Sequence, residues 1–229
     1  MKRMQKHFLP VSVRLLLLVA LGVWSLTAGC AKVFFVADEP FLIAEQPPDM
    51  PQFPLRVAIV RTDAMGAFAT PFPEKERVGE RLAKATIAGL AAGASLVFAE
   101  VQIVEAEPTS GFDLVCLPTN PYFEMREGRE PRVSIELSLE VVVKEPATGN
   151  ERSLLLSGIG GPGRRPAVPI RVSDPDTGLG MTAGVTGALV PGGPVSQAMN
   201  NALFYLSLDF AMKMQHRGRQ VHRRRLDNP

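Results

Sequence analysis

Val133-Ser134-Ile135-Glu136-Leu137-Ser138-Leu139-Glu140-Val141-Val142-Val143-Lys144 alternates apolar and polar residues along its length, with only Val142 breaking the polar row. Successive side chains on a strand point to opposite faces, so a period of two predicts a long half-buried strand with one wet face. Pro146-Ala147-Thr148-Gly149-Asn150 then turns the chain, and Arg152 to Ile159 returns as the hairpin partner.

Working outward, Leu55-Arg56-Val57-Ala58-Ile59-Val60-Arg61 reads as a strand by alternation and β-branching. A Gly/Pro-bearing loop follows through Pro73. Glu74 to Ala92 then predicts a helix, with Val78, Leu82, Ala85 and Gly89 on one face, joined by Ile87 and Leu90. Its acids Glu74, Glu76 and Glu80 alternate with Arg77, Arg81 and Lys84, which describes a solvated, ion-paired face. Leu96 to Glu105 and Phe112 to Leu117 read as two further strands, and Gly158 to Pro169 as a loop. Val195 to Gln215 predicts a second helix with Met199, Leu203, Leu206, Phe210 and Met214 inward and Ser196 as its N-cap. Strand, helix, several strands with a long hairpin, then helix is the order of an α/β (α+β) two-layer sandwich. Its sheet is mixed or mostly antiparallel, with two main helices packed on one face.

The N-terminus differs in kind. Lys2, Arg3, Lys6 and Arg14 precede an apolar run from Leu15 to Leu26, and Thr27-Ala28-Gly29 leads into Cys30. This basic, apolar, small-residue layout resembles the signal peptide of bacterial lipoproteins. The resemblance implies cleavage between Gly29 and Cys30, acyl chains on the Cys30 thiol, and a membrane anchor. Ala31 after the cysteine implies, in the enterobacterial pattern, sorting to the outer membrane on its periplasmic side. The competing reading is an uncleaved membrane helix, since the charge-free run from Leu15 to Ala31 lies at the lower limit of a bilayer span. Residues 30–54 carry Pro40, Pro47, Pro48, Pro51 and Pro54 and read as an extended tether. Within it Val33-Phe34-Phe35-Val36 is apolar enough to lie on the bilayer or dock on the domain. The expected organisation is therefore a signal over 1–29, a tether over 30–54, one domain over 55–215 and a basic tail over 216–229.

Composition narrows function. The signal takes four of the 25 cations and none of the 23 acids, leaving 21 against 23. From Lys213 onward there are six cations and one acid, so residues 30–212 hold 15 against 22. A mildly acidic body argues against nucleic acid as a partner. Cys116 is the only cysteine besides Cys30, so no disulfide is open to a lipidated chain, and its apolar surroundings describe a small buried residue. No histidine lies between Cys30 and Gln215, which leaves that stretch without a Ser-His-Asp or Cys-His pair and without a histidine zinc site. No metal or cofactor is expected, and no enzyme.

Four stretches remain as candidate contacts. Arg164 and Arg165 close a Gly-rich run that either exits a hairpin or offers an anion patch; no helix follows it, as a phosphate loop requires. Asp174-Pro175-Asp176-Thr177-Gly178 lacks the later ligands of a calcium loop and reads as a turn. Thr177 to Leu208 carries no charge, and its first part is either a buried loop or an exposed apolar surface with Leu179, Met181, Val185, Leu189 and Val190 touching a partner or lipid. Arg217, Arg219, Arg223, Arg224 and Arg225 form either a solvated end or an electrostatic contact with anionic lipid or polymer. The element order from 55 to 215 is similar to that of small periplasmic lipoproteins of the outer membrane that act in assembly, transport or activation of cell-wall synthases. It implies a membrane-anchored binding module for an envelope protein partner, with a lipid- or glycan-binding carrier as the alternative.

Overall fold

The computed structural model describes residues 51–71, 77–127, 133–163, 168–175, 177, 180–186 and 193–227. In chain order these form β1 (Phe53–Val60), a 3-10 turn (Asp63–Met65), α1 (Val78–Ser95), β2 (Phe98–Val104), β3 (Leu114–Glu127), β4 (Val133–Glu145), β5 (Asn150–Gly160), β6 (Val168–Ser173), β7 (Gly180–Val185) and α2 (Pro194–Asp227). The main sheet runs β2-β1-β3-β4-β5 and is mixed. β1 pairs in parallel with both β2 and β3, while β3, β4 and β5 are antiparallel. A parallel neighbour needs a crossover, and α1 supplies it between β1 and β2. β6 and β7 form a separate antiparallel pair.

The alternation in β4 becomes burial. Ile135, Leu137, Leu139, Val141 and Val143 are buried, while Ser134, Glu136, Ser138, Glu140 and Val142 stay partly wet. The buried row meets Leu82, Leu90, Leu203, Phe204, Leu206 and Phe210 from the two helices in one core with Val57 and Ile59 of β1. Each such side chain contributes roughly 1.5–3 kcal/mol by leaving water. Among the described residues the opposite face buries a small cluster of Ala58, Val60 and Val115, with Val104, Phe112 and Leu117 packed on it. The result is the two-layer sandwich, helices on one face.

Several boundaries move, each for a physical reason. β1 begins at Phe53, inside the expected tether. Phe53 is fully buried with its ring centroid 6.2 Å from that of Phe98, and the register shifts between Phe53 and Arg56 to accommodate Pro54. β3 extends beyond Leu117 to Glu127 through Pro118 and Pro121. A register shift between Thr119 and Tyr122, with Asn120 left-handed at φ 51°, absorbs the missing amides. The expected loop after Gly158 is shorter, because β5 runs to Gly160 and β6 starts at Val168. Part of the charge-free stretch is strand β7. The expected start of α1 at Glu74 falls outside the described residues.

The largest correction concerns the C-terminus. No tail is released at residue 216: α2 continues to Asp227. Met214, Arg217, Gly218, Val221 and His222 are buried at helical spacing, and His222 packs edge-on to Phe53 with centroids 5.9 Å apart. Arginine is a good helix former, and cations suit the negative end of the helix dipole. The folded body therefore includes His216 and His222, which the expected boundary at 215 left out.

Glycines set how closely α2 sits on the sheet. A Cβ on Gly158 would lie 2.1 Å from the Ala202 carbonyl oxygen, and one on Gly160 would lie 2.1 Å from that of Ala198. Gly93 gives the same freedom between the helices, where a Cβ would meet the Ser207 carbonyl at 2.3 Å. Gly158→Ala or Gly160→Ala is expected to cost about 3 kcal/mol in urea unfolding, because backbone cannot yield as a side chain tip does. Gly161→Ala faces open space and is expected to change stability by less than about 0.5 kcal/mol.

Candidate functional site

The C-terminal arginines converge on one buried acid. Glu145 ends β4 on its inward face and is 4% exposed. Arg217, with a side chain 8% exposed, donates from Nη2 to Glu145 Oε2 at 3.1 Å, and Arg224 Nη2 reaches the same oxygen at 2.5 Å. Arg217 also donates from Nη1 to Gln220 Oε1 at 3.3 Å. Burial lowers the Arg217 pKa from its ordinary value; Glu145 opposes this, and the neighbouring charges of Arg224 and Arg152 add to it. Beside this group opens a cleft of about 550 Å³ lined by Asn150, Glu151, Arg152, Arg217, Gln220, Arg223 and Arg224. Arg225 pairs instead with Asp113, and Arg219 lies outside the cleft lining.

A second surface is the wet face of the sheet. Tyr122, Leu155 and Ile159 are 52%, 70% and 57% exposed. The register places Tyr122 beside Ser138 and Ser138 beside Ser157, while Ile159 neighbours Glu136 and Leu155 neighbours Glu140. All three apolar side chains thus stand on one polar-dotted face, away from the helices. Arg126 bridges Glu124 at 2.8 Å and Glu136 at 3.5 Å there, and its hydrogen bond holds the Glu124 carboxyl below the ordinary range.

The free edge of β5 is closed by side chains of α2. The Gly163 amide donates to Gln197 Oε1 at 3.0 Å, and Asn201 Nδ2 donates to the Gly161 carbonyl at 2.6 Å. The Ser157 amide donates to Asp209 Oδ2 at 3.1 Å, and Lys213 Nζ donates to the Leu155 carbonyl at 2.6 Å. Residues 197, 201, 209 and 213 fall on one stripe of the helix, since four residues make nearly one turn. Edge groups capped in this way are withdrawn from pairing with another strand.

Other residues singled out in the sequence fare differently. Val185 is fully buried in the core, because β7 pairs with β6 and turns it inward; it is not a surface contact. Met181 belongs to β7. Gly29, Cys30, Arg164, Arg165, Leu179, Leu189 and Val190 lie outside the described residues. At the expected turn, the Thr177 amide donates to Asp174 Oδ1 at 2.6 Å. Cys116 is buried in β3, and burial pushes its thiol pKa far above the ordinary value. Among the described residues no three His, Cys, Asp or Glu side chains converge as metal ligands, and no helix is long and apolar enough to cross a membrane.

Glu145 is the member of this cluster that the sequence reading did not single out. Its signal is parity: it falls on the same face as Val141 and Val143, and a carboxylate placed inward demands a cation.

No family model matches the chain, and no curated protein does. Among solved structures it is similar to a Xanthomonas campestris protein of the family model DUF330, at 12% identity and a TM-score of 0.41, covering 76% of this chain and 91% of that one. It is also similar to the PelC dodecamer from Paraburkholderia phytofirmans, at 12% identity and a TM-score of 0.35, covering 72% and 91%. Both likenesses are too loose to transfer a function.

Removing the shared acid is the sharper test of the arginine cluster. Glu145→Ala is expected to cost about 3–5 kcal/mol, because Arg217 is left buried and unpaired. Arg224→Ala should cost about 1 kcal/mol or less, since Arg224 is partly solvated and Arg217 keeps its partner. Urea unfolding of the two variants checks the ordering.

Proposed function

We propose that this chain is a membrane-anchored lipoprotein of the bacterial envelope whose domain binds a protein partner and catalyses no reaction. Cys30 carries the acyl chains, and the Pro-rich segment before β1 holds the domain away from the membrane on the periplasmic side of, in this reading, the outer membrane.

The observation that supports a binding role is the wet sheet face. Tyr122, Leu155 and Ile159 are each more than half exposed on the same face, with Ser138 and Ser157 between them, and a partner that covers this face would take all three out of water. The adjacent edge of β5 is capped by Asn201, Asp209 and Lys213, so the partner would approach the face and would not extend the sheet. Cys116 is enclosed, and burial raises its thiol pKa well above the ordinary value, so this thiol is assigned a packing role.

Crosslinking in intact envelopes tests both halves. Leu155→Lys/Ile159→Lys sets each lysine opposite a glutamate of β4; it is expected to leave urea stability within about 0.5 kcal/mol, as for surface changes, and to abolish the partner crosslink, whereas an unchanged crosslink would overturn the assignment of this face. Cys30→Ala should abolish acyl labelling and release the protein from the membrane fraction. Retention of the variant in membranes would refute the anchor.

A further inference from the structure

We infer that the cleft between the β4–β5 turn and the C-terminal end of α2 is a phosphate-binding site, engaging a phosphate monoester or diphosphate group through Arg152, Arg217, Arg223 and Arg224. This site is separate from the sheet face and does not depend on the partner assigned to that face.

Charge imbalance is the first ground. Four arginines line or enter the cleft, yet Arg217 and Arg224 share a single oxygen of Glu145. Glu151, the acid in the lining, is drawn to Lys144 at 3.4 Å. Among the described residues neither Arg152 nor Arg223 has a carboxylate within ion-pair distance. A cluster built only to hold the helix end would not need these two cations.

Unfilled donors are the second ground. The Nε atoms of Arg217 and Arg224 are buried and have no hydrogen-bond acceptor among the described residues, although Arg217 has a side chain only 8% exposed. These unfilled donors belong to the same two guanidinium groups that line the cleft, and buried polar groups are nearly always paired. The Asn150 and Gln220 amides add donor capacity to the same wall.

The ligand class follows from geometry and size. A carboxylate presents two oxygens in one plane and a single charge. A phosphate monoester carries close to two charges and three terminal oxygens, which several guanidinium forks can bind from different directions. The volume of about 550 Å³ leaves room for the group to which the phosphate is attached. That group is either a lipid headgroup or a soluble phosphate compound.

Calorimetry on the full chain in neutral detergent micelles separates these cases. Pyrophosphate represents the soluble source, and short-chain phosphatidic acid the headgroup, with the matching phosphatidylcholine as the zwitterionic control. Saturable binding of pyrophosphate, of phosphatidic acid or of both supports the site and names its source. Arg152→Ala/Arg223→Ala removes two exposed cations without touching the Glu145 pairs, so it should fold as the parent does. It is expected to bind roughly tenfold or more weakly, as loss of charge-assisted hydrogen bonds predicts. Arg219→Ala/Lys84→Ala, equal in charge but outside the cleft, should bind as the parent. No saturable binding of either phosphate probe, or equal binding by the two double variants, would overturn the proposal.

Discussion

Direct backbone contact between α2 and the end of β5 is the constraint on which the rest of this domain depends. Gly158 and Gly160 present no side chain to the helix, and the carbonyls of Ala202 and Ala198 occupy that space. A helix seated so closely has little freedom to slide. Its stripe at Gln197, Asn201, Asp209 and Lys213 therefore meets the β5 edge at hydrogen-bond distance. The same seat aims the later turns of α2 at the β4–β5 hairpin end, where Arg217 finds Glu145.

That last encounter converts packing into electrostatics. A carboxylate on the inward row of β4 would be costly alone, and a buried guanidinium equally so. Each makes the other tolerable, but the bargain is uneven, because a second arginine leans on the same oxygen and two more stand nearby. The helix end also contributes partial negative charge, which favours gathering cations there. The domain thus separates two surfaces: a polar sheet face dotted with Tyr122, Leu155 and Ile159, and a cationic cleft around Arg217.

Much of the fold was legible from local pattern. The alternation from Val133 to Val143 specified the central strand and its buried row, and the hairpin partner followed from the turn at 146–150. The helix face at Val78, Leu82, Ala85 and Leu90 was read correctly because periodicity of 3.6 survives at buried positions. The failures share a cause. The strand from Phe112 was read only as far as Leu117, yet a bulge carries it on through Pro118 and Pro121. The arginines after residue 216 looked like a solvated end, because charge density outweighed the sparse inward positions Gly218 and Val221. The stretch with Val185 was left between a buried loop and an exposed surface, and its pairing with Val168, a contact across seventeen positions, decides for burial.

By itself the sequence determined the alternating strand, the apolar helix faces and the layered fold class. These are properties of periods two and 3.6 and of composition, which short windows carry in full. Only the tertiary structure decided that Gly158 and Gly160 are seats for a helix, that Glu145 holds two arginines, and that the basic C-terminus is a wall of the domain. The first two join residues 38 to 79 positions apart, and the third reaches further still, from Arg225 to Asp113. Such a pairing depends on where the chain returns in space, and a local pattern of residues holds no record of it.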